Sequence, residues 1–475
     1  KENRADVLYI NGVVHTLNAN NDIAQAVAVA DGKVVATGKT NDLTFAYNAD
    51  TTIDLRGRAM YPGFFDAHCH FYGYATTLGQ VNLVGTTSWE EVLMLVEAFA
   101  EENPEGWLVG RGWDQNDWAD QSFPTRKLLD ERFPDRPVLL SRVDGHAAIA
   151  NGEALRRAGI DGKTRIDGGR IILEKRQPTG VLLDNAVERV DEVIPPPSRK
   201  ELIKALKAAE QDLFEVGLTT IDDAGLRLDI INLIDSLHKT GDLKIRVYAM
   251  ASPTEDNLER FLNEGPYKTD RLHVRSFKIY ADGALGSRGA CLLRPYKDRP
   301  NQQGFLLQEP EYYREMAERM HAAGLQMNSH CIGDSANRMM LNIYGAVLGE
   351  GNDERWRIAH AQVIHQNDFE KFDQYNIIPS VQPTHATADM YWAEDRIGKE
   401  RLKGAYAYQT LIQNSPFVPF GSDFPVESIN PVLGFYAATA RKDLTNLPYG
   451  GFEMQESVSR DTALKAMTLW AAMAN

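Results

Sequence analysis

Cysteine is nearly absent from this chain: Cys69, Cys291 and Cys331 are all it has. They are too few and too scattered for a disulfide framework, and with no Cys-x-x-Cys pair they do not read as a thiolate metal site. Also missing is any apolar run approaching the roughly 20 residues a membrane helix needs, so no membrane span is expected. Positive charge is short as well. Lys and Arg number 51 against 66 Asp and Glu, a net charge of −15, which argues against a nucleic-acid partner. An initiator Met is lacking too, since Lys1 opens the chain, and this reads as a leader or tag removed. The cytoplasm is the expected compartment, with the periplasm or export as the alternative where a leader preceded Lys1.

What is present suits one large barrel with an appendage, in a chain of 475 residues. Residues 1–60 read as a small β-unit. Val7 to Ile10 and Val13 to Thr16 flank Asn11-Gly12, Ala26 to Val29 and Val34 to Ala36 flank Asp31-Gly32, and both dipeptides are type I′ hairpin signals. Such a unit cannot close a core alone. Its expected partners are strands from the far end, which this chain lacks: Thr462 to Ala474 reads as an apolar helix with no strand after it.

Ser88-x-x-Glu91 and Ser198-x-x-Glu201 are capping boxes. Between them, residues of about 107–197 break the strand–helix rhythm and end in Pro195-Pro196-Pro197, so they read as an insertion. Thereafter strands are expected at Leu218 to Asp222, Ile245 to Met250, Val274 to Tyr280, Leu325 to Ser329, Trp356 to Ala359, Ile377 to Val381 and Phe417 to Phe420. Helices such as Glu311 to Ala323 lie between. Repeated βα units predict an α/β fold, a closed (β/α)₈ barrel over 61–475, whose functional groups sit at the strands' C-terminal ends.

The chain's unusual residues fall at those ends. In Phe64-Phe65-Asp66-Ala67-His68-Cys69-His70 the two histidines are two residues apart, so on a strand they share a face. Later strands end on Lys278, His330, His360 and, in Gly421-Ser422-Asp423, on Asp423. Each alone has an ordinary reading: a satisfied core histidine, a helix cap, an ion-pair partner. Together they place imidazole, carboxylate and amine groups around one barrel mouth, a donor set for divalent metal.

With its motifs PGFFDAHCH, GRGWDQNDW, DGHAAIAN, KIYADGALGSR, SHCIGD, RIAHAQVI and VPFGSDFPV, the chain resembles the metal-dependent amidohydrolase superfamily, in its amidohydrolase 3 branch, and is similar to N-substituted formamide deformylases. The resemblance implies a distorted (β/α)₈ TIM barrel with a small β-sandwich and an inserted subdomain, and one or two divalent metals, zinc first. It also implies the ligand roles. His68, His70 and Asp423 would hold one metal, His330 and His360 a second, and Lys278 would bridge them as an N6-carboxylated side chain. An ammonium repels cations, whereas a carbamate is a bidentate anion. Two metals sharing a hydroxide lower the pKa of that water, and Asp423 would act as general base and then general acid.

The expected reaction is hydrolysis of a C–N bond, an amide or formamide, in a small-molecule substrate. A deaminase or cyclic-amide hydrolase uses the same donors, and a non-catalytic regulatory homologue is the more distant alternative. His385 and His146 are candidate substrate contacts, each weighed against structural hydrogen bonding. Trp113 is a candidate pocket wall, weighed against packing in the insertion's own core. Asp282-Gly283 reads as turn chemistry. Homo-oligomerisation is left open by the sequence.

Overall fold

A computed structural model describes residues 3–115, 118–142, 147–166, 169–286 and 288–475. The chain forms two compact units, one of residues 1–72 and 210–475 and the other of 73–209.

In the first unit, seven parallel strands follow one another round a barrel: β1 (Phe64–Cys69), β2 (Leu218–Leu226), β3 (Arg246–Ala251), β4 (Leu272–Tyr280), β5 (Gln326–Cys331), β6 (Arg357–His360) and β7 (Ile378–Ser380). Neighbours in space are neighbours in the barrel sequence, as right-handed βα crossovers dictate. The intervening helices present apolar stripes; in Leu228–Thr240 the buried residues Ile230, Ile231, Ile234 and Leu237 recur with helical spacing.

The eighth position differs from the expected strand Phe417 to Phe420. Residues 418–421 make a single parallel bridge, Val381 to Phe420, rather than a ladder. Pro419 has no N–H to continue one. Closure is nonetheless bonded on both sides: Val381 N–H donates to the Pro419 carbonyl at 3.1 Å, Gly421 N–H to Val381 at 3.0 Å, and Ala67 N–H to Phe420 at 3.1 Å. Lower down, Phe65 N–H and Phe420 N–H donate instead to the Met467 and Ala466 carbonyls, so residues 466–467 wedge the seam apart at its base. The expected C-terminal helix is two short ones, Arg460–Ala466 and Leu469–Met473.

Ahead of the barrel lie two small sheets. One has the order Lys33–Gly38, Ala26–Ala30, Asn3–Ile10, Tyr47–Asp54, and the other joins Ile23–Ala24, Val13–His15 and Ala59–Met60. Asp31-Gly32 forms the expected two-residue hairpin, with Ala30 opposite Lys33 and positive φ at both turn residues. Asn11-Gly12 does not: the strands it joins lie in different sheets. It is a corner, where a Cβ on Gly12 would lie 2.4 Å from Leu55 Cδ1. A close approach by Leu55 and the Arg58 carbonyl, not a hairpin, favours glycine there.

The second unit is wider than the expected insertion. Its six-stranded sheet runs Gly169–Glu174, Gln177–Asp184, Ala147–Ala150, Val138–Arg142, Leu108–Trp113, Val81–Asn82. Val138 and Leu140 belong to one apolar cluster while Leu139 belongs to another, and Ile149 is likewise separated from Ala148 and Ala150. Alternate residues point to opposite faces, so the sheet carries a core on each side. The Ser88 cap forms here, its hydroxyl accepting from Glu91 N–H at 3.2 Å.

Candidate metal centre

Two features of the strand ends bring the polar groups together. The first is register: Lys278 pairs with Asn328, Tyr280 with His330 and Cys331 with His360 on successive strands, so the ends of β4, β5 and β6 lie side by side. The second is the barrel seam. Asp423 N–H donates to the His68 carbonyl at 2.7 Å and His70 N–H to the Phe424 carbonyl at 2.8 Å, which clamps the Asp423 loop onto the end of β1. Asp66 tightens the clamp from inside, its carboxylate accepting from Ser422 N–H at 3.0 Å, His68 N–H at 3.1 Å and the Ser422 hydroxyl at 2.6 Å. Gly421 makes that approach feasible, since a Cβ there would meet His68 N at 2.5 Å.

The result is one cluster. Donor atoms of His68, His360 and Asp423 all lie within 4.8 Å of one another. Asp423 Oδ1 is 3.1 Å from His70 Nε2 and 3.4 Å from His68 Nε2, and its Oδ2 is 3.6 Å from His385 Nε2. Lys278 Nζ stands 3.0 Å from His68 Nε2. The His330 and His360 rings are 4.7 Å apart, and His385 stacks on His360 at 5.8 Å. His360 and Asp423 both hold positive φ, 73° and 64°, a costly backbone state for non-glycine residues that clusters at functional sites.

Electrostatics keep three of the imidazoles uncharged. Burial and the Lys278 charge push His330 down to about 3 and hold His68 well below the ordinary imidazole value; burial and His330 do the same to His360. All three are therefore neutral near pH 7, with a lone pair to offer. Burial opposes charge on Asp423 and on His70, but their mutual approach outweighs it, lowering the carboxyl and raising the imidazole. Lys278 is pushed down to about 8 by burial, against the pull of Asp423.

Further groups orient the rings. His360 Nδ1 lies 2.6 Å from Gln382 Oε1 and His70 Nδ1 lies 2.9 Å from the Ala224 carbonyl, bonds that turn each Nε2 inward. The Nε2 atoms of His330 and His385 are buried and have no hydrogen-bond partner among the described residues. Unpartnered ring nitrogens beside an ionised carboxylate fit a divalent cation.

Gln382 and Asp66 were not singled out from sequence. Asp282, expected to be turn chemistry, is a buried anchor that accepts from the N–H groups of Cys291, Ile332 and Gly333 at 2.8, 2.9 and 2.8 Å, tying β4 to the end of β5. An acid four residues after Lys278, directly behind the apolar Ile279-Tyr280-Ala281, is the signal the sequence offers for it. Trp113 is fully buried in its unit's core, where Nε1–H donates to the Leu140 carbonyl at 2.8 Å beside Trp118. Its ring is committed to packing rather than to a pocket wall. His146 lies outside the described residues. A cavity of about 520 Å³ opens at the opposite, N-terminal end of the strands, lined by Phe65, Thr220, Tyr248 and Leu272. It holds none of the cluster residues.

The amidohydrolase family model matches residues 51–475. The chain belongs to the amidohydrolase family. YtcJ of Bacillus subtilis, named as an amidohydrolase, is 33% identical over 449 residues, 92% of this chain and 84% of the relative. The N-substituted formamide deformylase of Arthrobacter pascens is 25% identical over 496 residues, 99% of this chain and 89% of the relative. An uncharacterized metal-dependent hydrolase from Pyrococcus furiosus superposes with a TM-score of 0.82 at 27% identity, over 98% of this chain and 94% of that one. This amidohydrolase is thus a hydrolase by family, with a TIM-barrel fold and a candidate divalent-metal site. No helix among the described residues is long and apolar enough to cross a membrane.

Proposed function

We propose that this amidohydrolase cleaves a C–N bond, an amide or formamide, in a small molecule. The observation that carries the reading is the convergence of His68, His360 and Asp423 donor atoms within 4.8 Å, with Lys278 Nζ 3.0 Å from His68 Nε2. The named activity of the Arthrobacter pascens relative supports the formamide form of it.

In this reading His68, His70 and Asp423 would hold one divalent ion, zinc first, and His330 and His360 would hold a second. Such ions, when bound, supply Lewis-acid polarisation of the scissile carbonyl and make water acidic enough to attack near neutral pH. The rest falls to the chain. Asp423, ionised and facing His70 and His385, takes the proton of the attacking water and returns it to the leaving amine, so that amide and water become carboxylic acid and amine. Gln382 and the Ala224 carbonyl keep two imidazoles in the tautomer that presents Nε2. Lys278 enters as its N6-carboxylate. Its amine, pushed down to about 8, is neutral often enough near pH 7 to add carbon dioxide and release one proton. His385, stacked on His360, faces the substrate side as a hydrogen-bonding group.

The test is a hydrolysis screen of metal-reconstituted protein over N-formyl amines, N-acyl amino acids and cyclic imides, with ammonia release followed in parallel. Formate or carboxylate appearing with equimolar amine supports the reading. Ammonia or ring-opened product alone would move the protein to deaminase or cyclic-amide chemistry, and full activity in metal-free protein would sink the metal mechanism.

A further inference from the structure

Beneath the histidine cluster, three neighbouring strands carry Lys278, Asn328 and Arg357 in one row, because Lys278 is in register with Asn328 and Asn328 with Arg357. The row faces the barrel interior. Ser329, the next residue along β5, is 2.7 Å by its hydroxyl from that of Tyr344 on helix Asp334–Leu348, so Asn328 points the other way. Arg357 reaches across the interior, its Nη1 donating to Asp222 at 2.6 Å and to the Ala67 carbonyl on β1 at 3.3 Å. Ser380 is in register with Ala359, two residues beyond Arg357, and so shares the inward face.

Asn328, Arg357 and Ser380 are 1%, 0% and 1% exposed. Yet Asn328 Oδ1, Asn328 Nδ2, Arg357 Nε and Ser380 Oγ have no hydrogen-bond partner among the described residues. Bare polar atoms at such depth are rare and costly, and four on adjoining strands call for a shared partner. The chemistry of the four selects it. Arg357 Nε and Asn328 Nδ2 donate, Asn328 Oδ1 accepts, and a serine hydroxyl does either. An ion would need a surplus of one kind, and the Arg357 charge is already matched by Asp222. A buried water typically makes about three bonds to mixed donors and acceptors.

We propose that this patch is a hydration site built into the barrel interior beside Lys278, with ordered water held by Asn328, Arg357 and Ser380. The site does not depend on which bond the enzyme cuts. Its test is a crystal structure of the full, metal-loaded chain at a resolution that shows ordered water, together with melting of Ser380→Ala, Asn328→Leu and the double variant. The expected result is a water within hydrogen-bonding distance of at least two of the four atoms. Ser380→Ala should melt lower by about 1 °C or more, and the double variant should lose less than the sum of the singles, because both act through one water. Ser380→Ala keeps the test open if Asn328→Leu does not fold. A dry patch, side chains turned to pair directly, or melting unchanged or raised on removing these groups would overturn the proposal.

Discussion

Two carboxylates on the same barrel wall have opposite surroundings. Asp222, midway along β2, is fully buried and paired: Arg357 Nη1 lies 2.6 Å away, Asn475 Nδ2 donates at 2.9 Å, and the guanidinium rests 5.3 Å from the Tyr248 ring. Asp423, at the mouth, faces three imidazoles at 3.1–3.6 Å, and ring nitrogens near it have no partner among the described residues. A buried charge whose counter-charge and donors come from the chain itself serves the barrel. One that faces imidazoles instead, with unpartnered ring nitrogens close by, has the surroundings a metal ligand would need.

Breaking the mouth should give the largest effects. Chelation is expected to abolish hydrolysis and zinc to restore it, with elemental analysis giving more than one equivalent for the two-metal arrangement. One equivalent, unaffected by His330→Ala, would reduce the centre to a single ion. Asp423→Asn should lower kcat/KM by about 10²–10⁴-fold while melting stays close to the parent. Loss of both together would make Asp423 structural and erase the contrast with Asp222.

The barrel interior should respond in the opposite currency. Arg357→Met leaves Asp222 buried without its cation and is expected to cost about 3–5 kcal/mol in denaturant unfolding, with metal content retained in the folded fraction. Adding Asp222→Asn should recover much of that loss, as paired removal does. In the second unit, Trp113→Ala is expected to cost about 3–5 kcal/mol by cavity formation and to leave kcat/KM ratios between amide substrates unchanged. A shifted ratio at parental stability would return Trp113 to substrate recognition. The smallest effect concerns Lys278. Below its value of about 8 the amine is protonated and cannot add carbon dioxide, so labelled-carbonate incorporation into metal-free protein should rise about tenfold per pH unit and level off above pH 8.

The strand ends are legible in the sequence because barrel strands announce themselves as short apolar runs, and a histidine or lysine closing such a run stands out. His68, Lys278, His330 and His360 sit within or at the end of the strands so inferred. The supporting groups carry no such contrast. Gln382 precedes Pro383 and resembles an ordinary helix entry, Asp66 is one acid in a strand, and the Asn11-Gly12 corner uses the same dipeptide as a hairpin. Arg357 did carry a signal: a lone charge inside Trp356-Arg357-Ile358 marks either an edge strand or a buried partner.

Sequence by itself determined the alternation of strands and helices, the amidohydrolase motifs and the candidate metal-binding residues, because these depend on local periodicity and side-chain chemistry. Tertiary structure alone decided that Pro419 and the wedge at 466–467 leave the eighth strand as a single bridge, that Trp113 packs a core, and that Asp222 and Asp423 meet different partners. Those outcomes depend on which distant segment arrives beside a residue: Arg357 is 135 positions from Asp222, and Ser422 is 356 from Asp66. No local pattern encodes a partner that only chain closure brings within 3 Å, roughly a hydrogen bond's reach.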